Sequence, residues 1–150
     1  MPQTTQAPVL SQVNLVARDL AVSIAFHRLL GLTVEEAARP EWVRHHATAI
    51  MPNGSRIEFD SIEFARQWNP GFRQPSTGTM GAVLFFGVPS REQVDLVFRR
   101  MTAAGHASQQ PPQDAFWGSR YAIVEDPDGN AVGIMSPVDP ARRCIPPPPD

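Results

Sequence analysis

Hydrophobic and polar positions follow the same order twice along the chain, beginning with a short apolar run at 12–17, QVNLVA. Asp19 then precedes the segment LAVSIAFHRLL, which Gly31 ends. Asp19 can accept hydrogen bonds from the free N–H groups of a helix start, and Gly31 suits the left-handed residue after a helix. The pattern therefore predicts a strand and then a helix. The apolar face of this helix is assigned to Ala21, Ile24, Ala25 and Leu29.

The second half repeats this order with different residues. The apolar run GAVLFFGV is followed by Ser90 and by the segment REQVDLVFRRMTAAG, in which Gly105 ends the helical pattern. Ser90 and Gln93 have the spacing of a capping box, in which each side chain can bond the backbone of the other residue. A second helix is therefore predicted. Its apolar face is assigned to Val94, Val97, Phe98 and Met101.

Three short strand-like segments follow each predicted helix. They lie near 33–37, 43–51 and 56–60 in the first half, and near 107–110, 119–125 and 131–135 in the second. The last two segments of each half are joined by PNG or PDG, which favour hairpins because glycine tolerates a positive φ. Each half is thus a β-α-β-β-β unit.

Two independent spacings support an internal repeat. Gln12 lies seven residues before Asp19, as Val83 does before Ser90. Pro52 to Glu58 and Pro127 to Gly133 are both six residues. A duplication of this size usually builds one core from two modules, so the sequence predicts an α+β fold with a curved mixed sheet.

The predicted organisation is a single domain with module one at about 9–60, a linker at 61–80, module two at about 81–137 and a proline-rich tail at 138–150. The tail is expected to be extended or disordered because its composition supports no packed core.

Composition and charge narrow the possible partners. The chain has 150 residues, a net charge of −2, 42% hydrophobic and 19% charged residues. This balance provides no basic surface for nucleic acid and no polybasic membrane patch, and no apolar run approaches the roughly 18 residues of a membrane span. One cysteine, Cys144, and the absence of a recognisable signal sequence predict a cytoplasmic protein.

The segments VARDLAVSIAFHRLLGL and FWGSRYAIVEDPDGNAVGIMSP resemble the two modules of the vicinal oxygen chelate superfamily. That superfamily includes glyoxalase I, extradiol dioxygenases, fosfomycin-resistance enzymes and bleomycin-resistance proteins. The resemblance covers about residues 9–137. It implies two modules whose sheet surrounds a cleft, and commonly a homodimer.

The resemblance also implies four metal-ligand places, on the first and last strand of each module: Gln12, Glu58, Val83 and Gly133. A divalent metal needs three or four nitrogen, oxygen or sulfur donors on one centre. Valine and glycine have no donor side chain, so no metal and no other cofactor is expected. In character the chain is closest to the metal-free bleomycin-resistance-like binding proteins.

Candidate ligand-binding residues come from the strands. The resemblance places Gln12 and Asn14 on the cleft face. A two-residue Asn53-Gly54 turn would pair Ala49 with Glu58, so that Ala47 and His45 share the side of Glu58. The same count pairs Gly133 with Val124 and places Ala122 and Arg120 on the side of Gly133.

Aromatic residues outside the helix faces supply the other candidates, because the resemblance places their segments around the mouth of the cleft. Flat rings suit planar aromatic ligands. Gly118 would let such a ligand approach the backbone closely. The aromatic candidates are Trp42, Trp68, Phe72, Phe116 and Trp117.

Two functions remain open. The first is metal-independent binding and sequestration of a hydrophobic, planar aromatic small molecule, such as a natural product or drug, as antibiotic-resistance members do. The alternative is a glyoxalase-like lyase or isomerase that uses a makeshift metal site or Glu58 as a base. No catalytic residue is assigned. The gaps at Val83 and Gly133 favour binding.

Overall fold

The computed structural model describes residues 8–74 and 81–146. The described chain forms two four-stranded mixed sheets and three α-helices, which confirms the predicted α+β class. In the first half the elements are β1 (Gln12–Ala17), α1 (Leu20–Leu30), β2 (Glu35–Glu36), β3 (His46–Ile50), β4 (Arg56–Ser61) and α2 (Ile62–Trp68). In the second half they are β5 (Val83–Gly87), α3 (Arg91–Ala103), β6 (Ser108–Asp114), β7 (Arg120–Glu125) and β8 (Ala131–Met135). Short 3₁₀ helices lie at Pro40–Trp42 and Pro140–Arg142.

The two sheets have the same topology. Their strand orders are β1-β4-β3-β2 and β5-β8-β7-β6, and in each sheet only the first pair in that order is parallel. The β-α-β-β-β order predicted for each half is therefore present in both. The chain divides into two compact units, the described residues within 1–24 and 32–72 and those within 25–31 and 73–150.

Local signals at the helix ends are confirmed. Asp19 Oδ1 accepts the N–H of Val22 at 3.1 Å, and Ser90 Oγ accepts the N–H of Gln93 at 3.2 Å. Gly31 has a φ of 120°, the left-handed conformation that glycine adopts without steric cost. Both helices therefore begin where their capping residues predict.

The core confirms one predicted helix face and corrects the other. In α3, Val94, Val97 and Met101 are buried and Phe98 is half-buried, and α3 packs on β6, β7 and β8. In α1, Ala21 and Ala25 are exposed. The buried residues of α1 are Leu20, Ser23, Ile24, Phe26, His27 and Leu30. The larger side chains decide which face is buried, since the ring of Phe26 packs edge-on against His106 at 4.7 Å between centroids.

The predicted hairpin registers are wrong by one residue. Met51 N–H donates to the carbonyl of Ser55 at 2.8 Å, so the connection contains three residues, 52–54. A two-residue turn would require an N–H at position 52, and Pro52 has none. Glu58 consequently pairs with Thr48 instead of Ala49.

The second hairpin has the same correction for the same reason. Asp126 N–H donates to the carbonyl of Asn130 at 2.9 Å, around a connection that begins at Pro127. Gly133 therefore pairs with Ile123 instead of Val124. Because successive strand residues point to opposite faces, a one-residue shift moves every assigned side chain to the other face of the sheet.

The segments predicted as linker and tail contain ordered structure. The linker begins with α2, whose capping residue Ser61 accepts the N–H of Phe64 at 3.1 Å. In the tail, which was predicted to be extended or disordered, Pro140–Arg142 form a 3₁₀ helix and Cys144 N–H donates to the carbonyl of Phe116 at 2.9 Å. Residues 75–80 of the linker and 147–150 of the tail lie outside the described residues. No helix in the described ranges has both the length and the apolar composition to cross a membrane.

Candidate functional site

Each sheet has one face of buried core residues and one face of the opposite strand positions. The core face of the first sheet contains Leu15, Ala17, Ala47, Ala49, Ile57 and Phe59, and that of the second contains Ala122, Val124, Val132 and Ile134. We call the opposite face of the first sheet the polar face; it contains Gln12, Asn14, His46, Thr48, Arg56, Glu58 and Asp60. We call the corresponding face of the second sheet the apolar face; it contains Val83, Phe85, Tyr121, Ile123, Ala131, Gly133 and Met135, and it has one charged residue, Glu125, beside Ala131.

The two faces occupy equivalent register positions. Asn14 is paired with Glu58 in the first sheet, as Phe85 is with Gly133 in the second. His46 opposite Asp60 corresponds in the same way to Tyr121 opposite Met135. Three places that carry hydrogen-bonding side chains in the first module, Asn14, Glu58 and Asp60, are thus occupied by Phe85, Gly133 and Met135 in the second. Tyr121 keeps a polar group, since its hydroxyl accepts a hydrogen bond from Gln113 Nε2 at 2.7 Å.

Glu58, at 6% exposure, is held by three side chains of the polar face. Arg56 Nη2 lies 2.7 Å from Glu58 Oε1, Thr48 Oγ1 donates to Oε2 at 2.6 Å, and His46 Nε2 lies 3.3 Å from Oε2. Both carboxylate oxygens thus have partners. These hydrogen bonds and this ion pair offset the hydration that the carboxylate loses on burial.

Asp60 extends the same network and is 1% exposed. Its Oδ1 lies 2.8 Å from His46 Nδ1, and its Oδ2 accepts Asn14 Nδ2 at 2.8 Å. Gln12 Nε2 donates to Asn14 Oδ1 at 2.8 Å. The polar face is therefore a continuous chain of hydrogen bonds from Gln12 to Arg56.

These donors do not fit the metal centre that the resemblance noted from the sequence implies here. The imidazole of His46 separates its two carboxylate partners, with one on each ring nitrogen, so the three side chains do not converge on one point. Within residues 8–74 and 81–146, no group of three or more His, Cys, Asp or Glu side chains is arranged to hold a metal ion. The corresponding places on the apolar face, Val83 and Gly133, supply no donor atom.

The missing side chain of Gly133 has a direct explanation on the apolar face. A Cβ at this position would lie 2.3 Å from two carbons of the Phe85 ring. The ring of Phe85 thus occupies the space above Gly133, and it is itself 42% exposed. The position that the sequence resemblance assigns to a metal ligand is thus covered by an aromatic ring.

Phe85 begins a series of four rings that we call the aromatic row. Centroid distances are 6.2 Å from Phe85 to Tyr121, 5.2 Å from Tyr121 to Trp117 and 5.0 Å from Trp117 to Phe116. Tyr121 and Trp117 are half-buried, and Phe116 is 46% exposed. All four rings belong to the second unit.

Several residues assigned from the hairpin count lie elsewhere. Ala47 pairs with Phe59 and is buried in the core, on the opposite face from Glu58. His45 precedes β3, and its Nδ1 lies 2.9 Å from Ser61 Oγ. The histidine on the face of Glu58 is His46.

Arg120 and Gly118 are also engaged within the fold. Arg120 Nε donates to Asp95 Oδ1 of α3 at 2.9 Å, which places this side chain toward the helix and away from Gly133. A Cβ on Gly118 would lie 2.4 Å from the carbonyl oxygen of Asp139. The space beside Gly118 is therefore filled by the tail, contrary to its predicted role in admitting a ligand.

The remaining aromatic candidates lie in the first unit. The ring of Trp42 packs edge-on against Phe64 at 5.0 Å between centroids. Trp68 ends α2 with 47% exposure and contacts no other ring of the described chain. Phe72 is half-buried in the turn after α2, where its N–H donates to Asn69 at 2.9 Å.

Sequence reasoning missed residues for two different reasons. His46, Thr48 and Asp60 alternate along HATAI and RIEFDS, so a register that allowed for Pro52 would have placed them beside Glu58. Phe64 and Phe85 carried no such signal. Their positions depend on contacts with strands distant in sequence.

Two four-stranded sheets, each formed by one copy of the β-α-β-β-β module, define the class of protein to which this fold belongs. The chain belongs to the glyoxalase/bleomycin resistance protein/dioxygenase superfamily, whose family model matches residues 9–134. This match confirms the resemblance noted from the sequence.

Several solved structures share the fold of this chain. A glyoxalase-related enzyme from Fulvimarina pelagi has a TM-score of 0.72 at 20% identity, covering 87% of this chain and 89% of its own. Lactoylglutathione lyase from Agrobacterium tumefaciens gives 0.63 at 19% identity, covering 91% and 96%. TioX from Micromonospora sp. ML1 gives 0.62 at 22% identity, covering 86% and 98%. No curated protein matches the sequence.

Proposed function

We propose that this protein binds a hydrophobic, planar aromatic small molecule without a metal ion and sequesters it. The observation that carries the proposal is the ring of Phe85 over Gly133, which puts an aromatic surface at a position where the superfamily's metal enzymes have a ligand. Membership of the superfamily alone does not choose between binding and catalysis, because its name covers both kinds of protein.

The chemistry of the apolar face supports this proposal. Its side chains offer carbon surfaces and rings, and the aromatic row leaves Phe85 and Phe116 more than 40% exposed at its two ends. Covering exposed aromatic groups with a flat apolar ligand lowers the free energy of the complex. A hydrated metal or a strongly polar substrate would find no matching donors among Val83, Gly133 and Ile123.

The required affinity limits the size of the ligand. Each ring pair contributes about 0.5–1.5 kcal/mol beyond burial of area, so three contacts contribute only a few kcal/mol. A micromolar dissociation constant corresponds to about 8 kcal/mol. Burial of about 250 Å² of apolar surface would add about 6 kcal/mol before the entropy cost of association. A ligand of two or three fused rings meets this requirement.

The enzymatic alternative would use Glu58 as a base. Both carboxylate oxygens of Glu58 already have partners. Oε1 is paired with Arg56, and Oε2 with Thr48 and His46. A base must first be free to take a proton from the substrate. This arrangement favours a structural role for Glu58 and supports the binding proposal.

The first test uses acridone, a neutral planar compound of three fused rings. We expect micromolar binding by isothermal titration calorimetry, quenching of Trp emission, and the same affinity with and without EDTA. Elemental analysis of protein purified without a chelator should find no stoichiometric metal. Loss of binding in EDTA, restored by one metal ion, would overturn the proposal.

The aromatic row is tested by replacing Trp117 with Ala. Loss of one ring and its buried area should weaken acridone binding about 5- to 150-fold in calorimetry. The matched control is Trp68→Ala, since Trp68 is exposed and lies outside the row. An unchanged affinity in Trp117→Ala, together with a large fall in melting temperature, would make Trp117 a structural residue and remove this support.

A further inference from the structure

A small pocket in the first unit lies between the β2–β3 connection, the start of β3 and α2. Its volume is about 270 Å³, and its lining consists of Ala37, Ala38, Arg39, Trp42, His46 and Phe64. Sites for small ligands usually measure roughly 300–1,000 Å³. A pocket just below that range accommodates one ring or two fused rings. We call it the Arg39 pocket.

The walls of the Arg39 pocket are aromatic. Trp42 and Phe64 meet edge-to-face at 5.0 Å, and Phe64 meets the imidazole of His46 at 5.7 Å. All three side chains are half-buried, so each has surface left for a ligand. Such walls favour a flat aromatic molecule, because ring contacts add to the burial of apolar area.

The polar groups of the lining differ in their availability. His46 has Asp60 on one ring nitrogen and Glu58 on the other, so its hydrogen-bonding positions are used within the protein. Arg39 is exposed and has no ion pair or side-chain hydrogen bond in the described part of the chain. The guanidinium of Arg39 is therefore the charged donor that remains for a ligand, and it is complementary to a carboxylate.

A neighbouring pocket that shares the Trp42–Phe64 pair has acidic residues in its lining. This second pocket, of about 250 Å³, is also lined by Glu41 and Glu63. The backbone at the start of α2 and the Ser61 hydroxyl hold the pKa of Glu63 below its usual value, so this carboxylate is ionised at neutral pH. An anion is thus disfavoured in this neighbouring pocket and favoured in the Arg39 pocket.

We infer that the Arg39 pocket binds a one- or two-ring aromatic carboxylate, with its ring against Trp42 and Phe64 and its anionic group on Arg39. This inference concerns the first unit alone and goes beyond the proposed function, which rests on the aromatic row. Its ligand is smaller than a three-ring compound and carries a negative charge.

The test compares 2-naphthoate with its neutral counterpart 2-naphthamide by calorimetry on the full-length protein. Wild-type protein should bind the carboxylate more tightly. Arg39→Gln should weaken 2-naphthoate about five- to tenfold and leave 2-naphthamide nearly unchanged, since only the charged contact is lost. Arg66→Gln, an exposed arginine on α2 outside the pocket lining, is the matched control and should change neither affinity.

Two further variants separate the outcomes. Trp42→Leu should weaken both compounds about tenfold because a ring wall is lost. Circular dichroism establishes whether the Trp42→Leu variant folds. If that variant does not fold, Arg39→Gln still tests the inference independently. Unchanged 2-naphthoate affinity in Arg39→Gln overturns the inference. If Phe85→Ala abolishes acridone binding while Arg39→Gln leaves the affinity for 2-naphthoate unchanged, the proposed function stands and this inference fails. If Phe85→Ala leaves acridone binding unchanged while Arg39→Gln weakens 2-naphthoate binding, the inference stands and the proposed function fails.

Discussion

The contact between Phe85 and Gly133 shows how a single absent side chain can organise a surface. Phe85 lies on β5, and Gly133 is its neighbour on the parallel strand β8. An aromatic ring laid over a glycine on the next strand covers backbone that glycine would leave exposed. The pair therefore stabilises the sheet and exposes a ring at the same time.

We predict that Gly133→Ala destabilises the protein by about 1–3 kcal/mol, the usual cost of forcing an extra carbon into filled space. The added Cβ would begin 2.3 Å from the Phe85 ring, so the ring must move. Urea denaturation measures the change in the free energy of unfolding. Acridone affinity should also fall, because the displaced ring belongs to the aromatic row.

Gly87 provides the control on the same sheet. A Cβ at Gly87 would have no heavy atom within 4 Å, and its φ is not positive, so Gly87→Ala should be close to neutral. In a Phe85→Ala background, Gly133→Ala should lose most of its cost. Equal destabilisation with and without the Phe85 ring would show that the clash is not the cause.

At the scale of elements, charged residues connect α3 to strands β6 and β7. Arg120 of β7 bonds Asp95 of α3 at 2.9 Å and Asp114 of β6 at 3.0 Å, and Arg91 at the start of α3 also contacts Asp114. The hydrogen bond from Arg120 is the main cause that holds the pKa of Asp114 below its ordinary 3.8. The network joins three elements at one corner of the second unit.

This pKa shift has a definite sign for stability. A carboxylate whose pKa is lowered by folding stabilises the protein above its unfolded pKa, and that contribution is lost as the pH falls through the folded pKa. The window therefore lies below about pH 3.8. The contribution is small because Asp114 is 58% exposed and water screens the pair.

We predict that Arg120→Gln raises the pKa of Asp114 toward 3.8, as measured by carboxyl carbon NMR titration. Arg142, the weakest of the favourable charges, offers a control: Arg142→Gln should leave the pKa nearly unchanged. The part of the stability loss in Arg120→Gln that comes from Asp114 should disappear once the pH is below the folded pKa. An unaltered Asp114 titration would contradict the assigned cause.

The two sheets also show how a duplicated element diverges. The core faces remain apolar in both modules, with Phe59 and Ile57 in one and Ile134 and Val132 in the other. The opposite faces differ in chemistry, since one is a hydrogen-bond network and the other contains the aromatic row. A change on that face leaves the packing of the core intact, which is why the two copies could acquire different surfaces without losing the fold.

At the scale of the whole molecule, each sheet ends in edge strands. The first sheet has β1 and β2 at its edges, and the second has β5 and β6. Edge strands carry unpaired backbone N–H and C=O groups, which soluble proteins commonly cover by association or protect by other means. Members of this superfamily often form dimers, and a two-fold dimer is the commonest closed assembly of identical chains.

We predict a homodimer in solution. Multi-angle light scattering at micromolar concentration should give about twice the chain mass of 16.5 kDa. The measured mass should change little with ionic strength if backbone pairing and apolar contacts hold the subunits together. A stable particle of one chain mass across this concentration range would rule out the dimer.

Much of the fold could be predicted because its signals are local. Asp19, Ser90 and Gly31 act on the backbone within a few residues of themselves, and the helices begin and end where these residues predict. The repeated spacing of Pro52 and Pro127 indicated two copies of one module. These features depend on backbone geometry and short-range hydrogen bonds, which the adjacent residues determine.

The candidate site was harder to predict because one error in the register of a hairpin changes the face assigned to every residue of the strand. One misplaced pair in the Pro52 hairpin put Ala47 beside Glu58 and left His46 on the wrong face. The missing N–H of Pro52 was visible in the sequence, so this part could have been derived. The sequence by itself determined two modules, their helix ends and the absence of donor side chains at Val83 and Gly133.

Only the tertiary structure decided what covers those positions. Phe85 reaches Gly133 across two strands separated by more than 40 residues, and Phe64 reaches His46 from a different element. Neither contact leaves a periodic or local pattern, because the free energy of packing depends on which surfaces the whole fold brings together. Local bonding determines where elements begin and end, whereas close packing between distant residues determines which of their faces can meet a ligand.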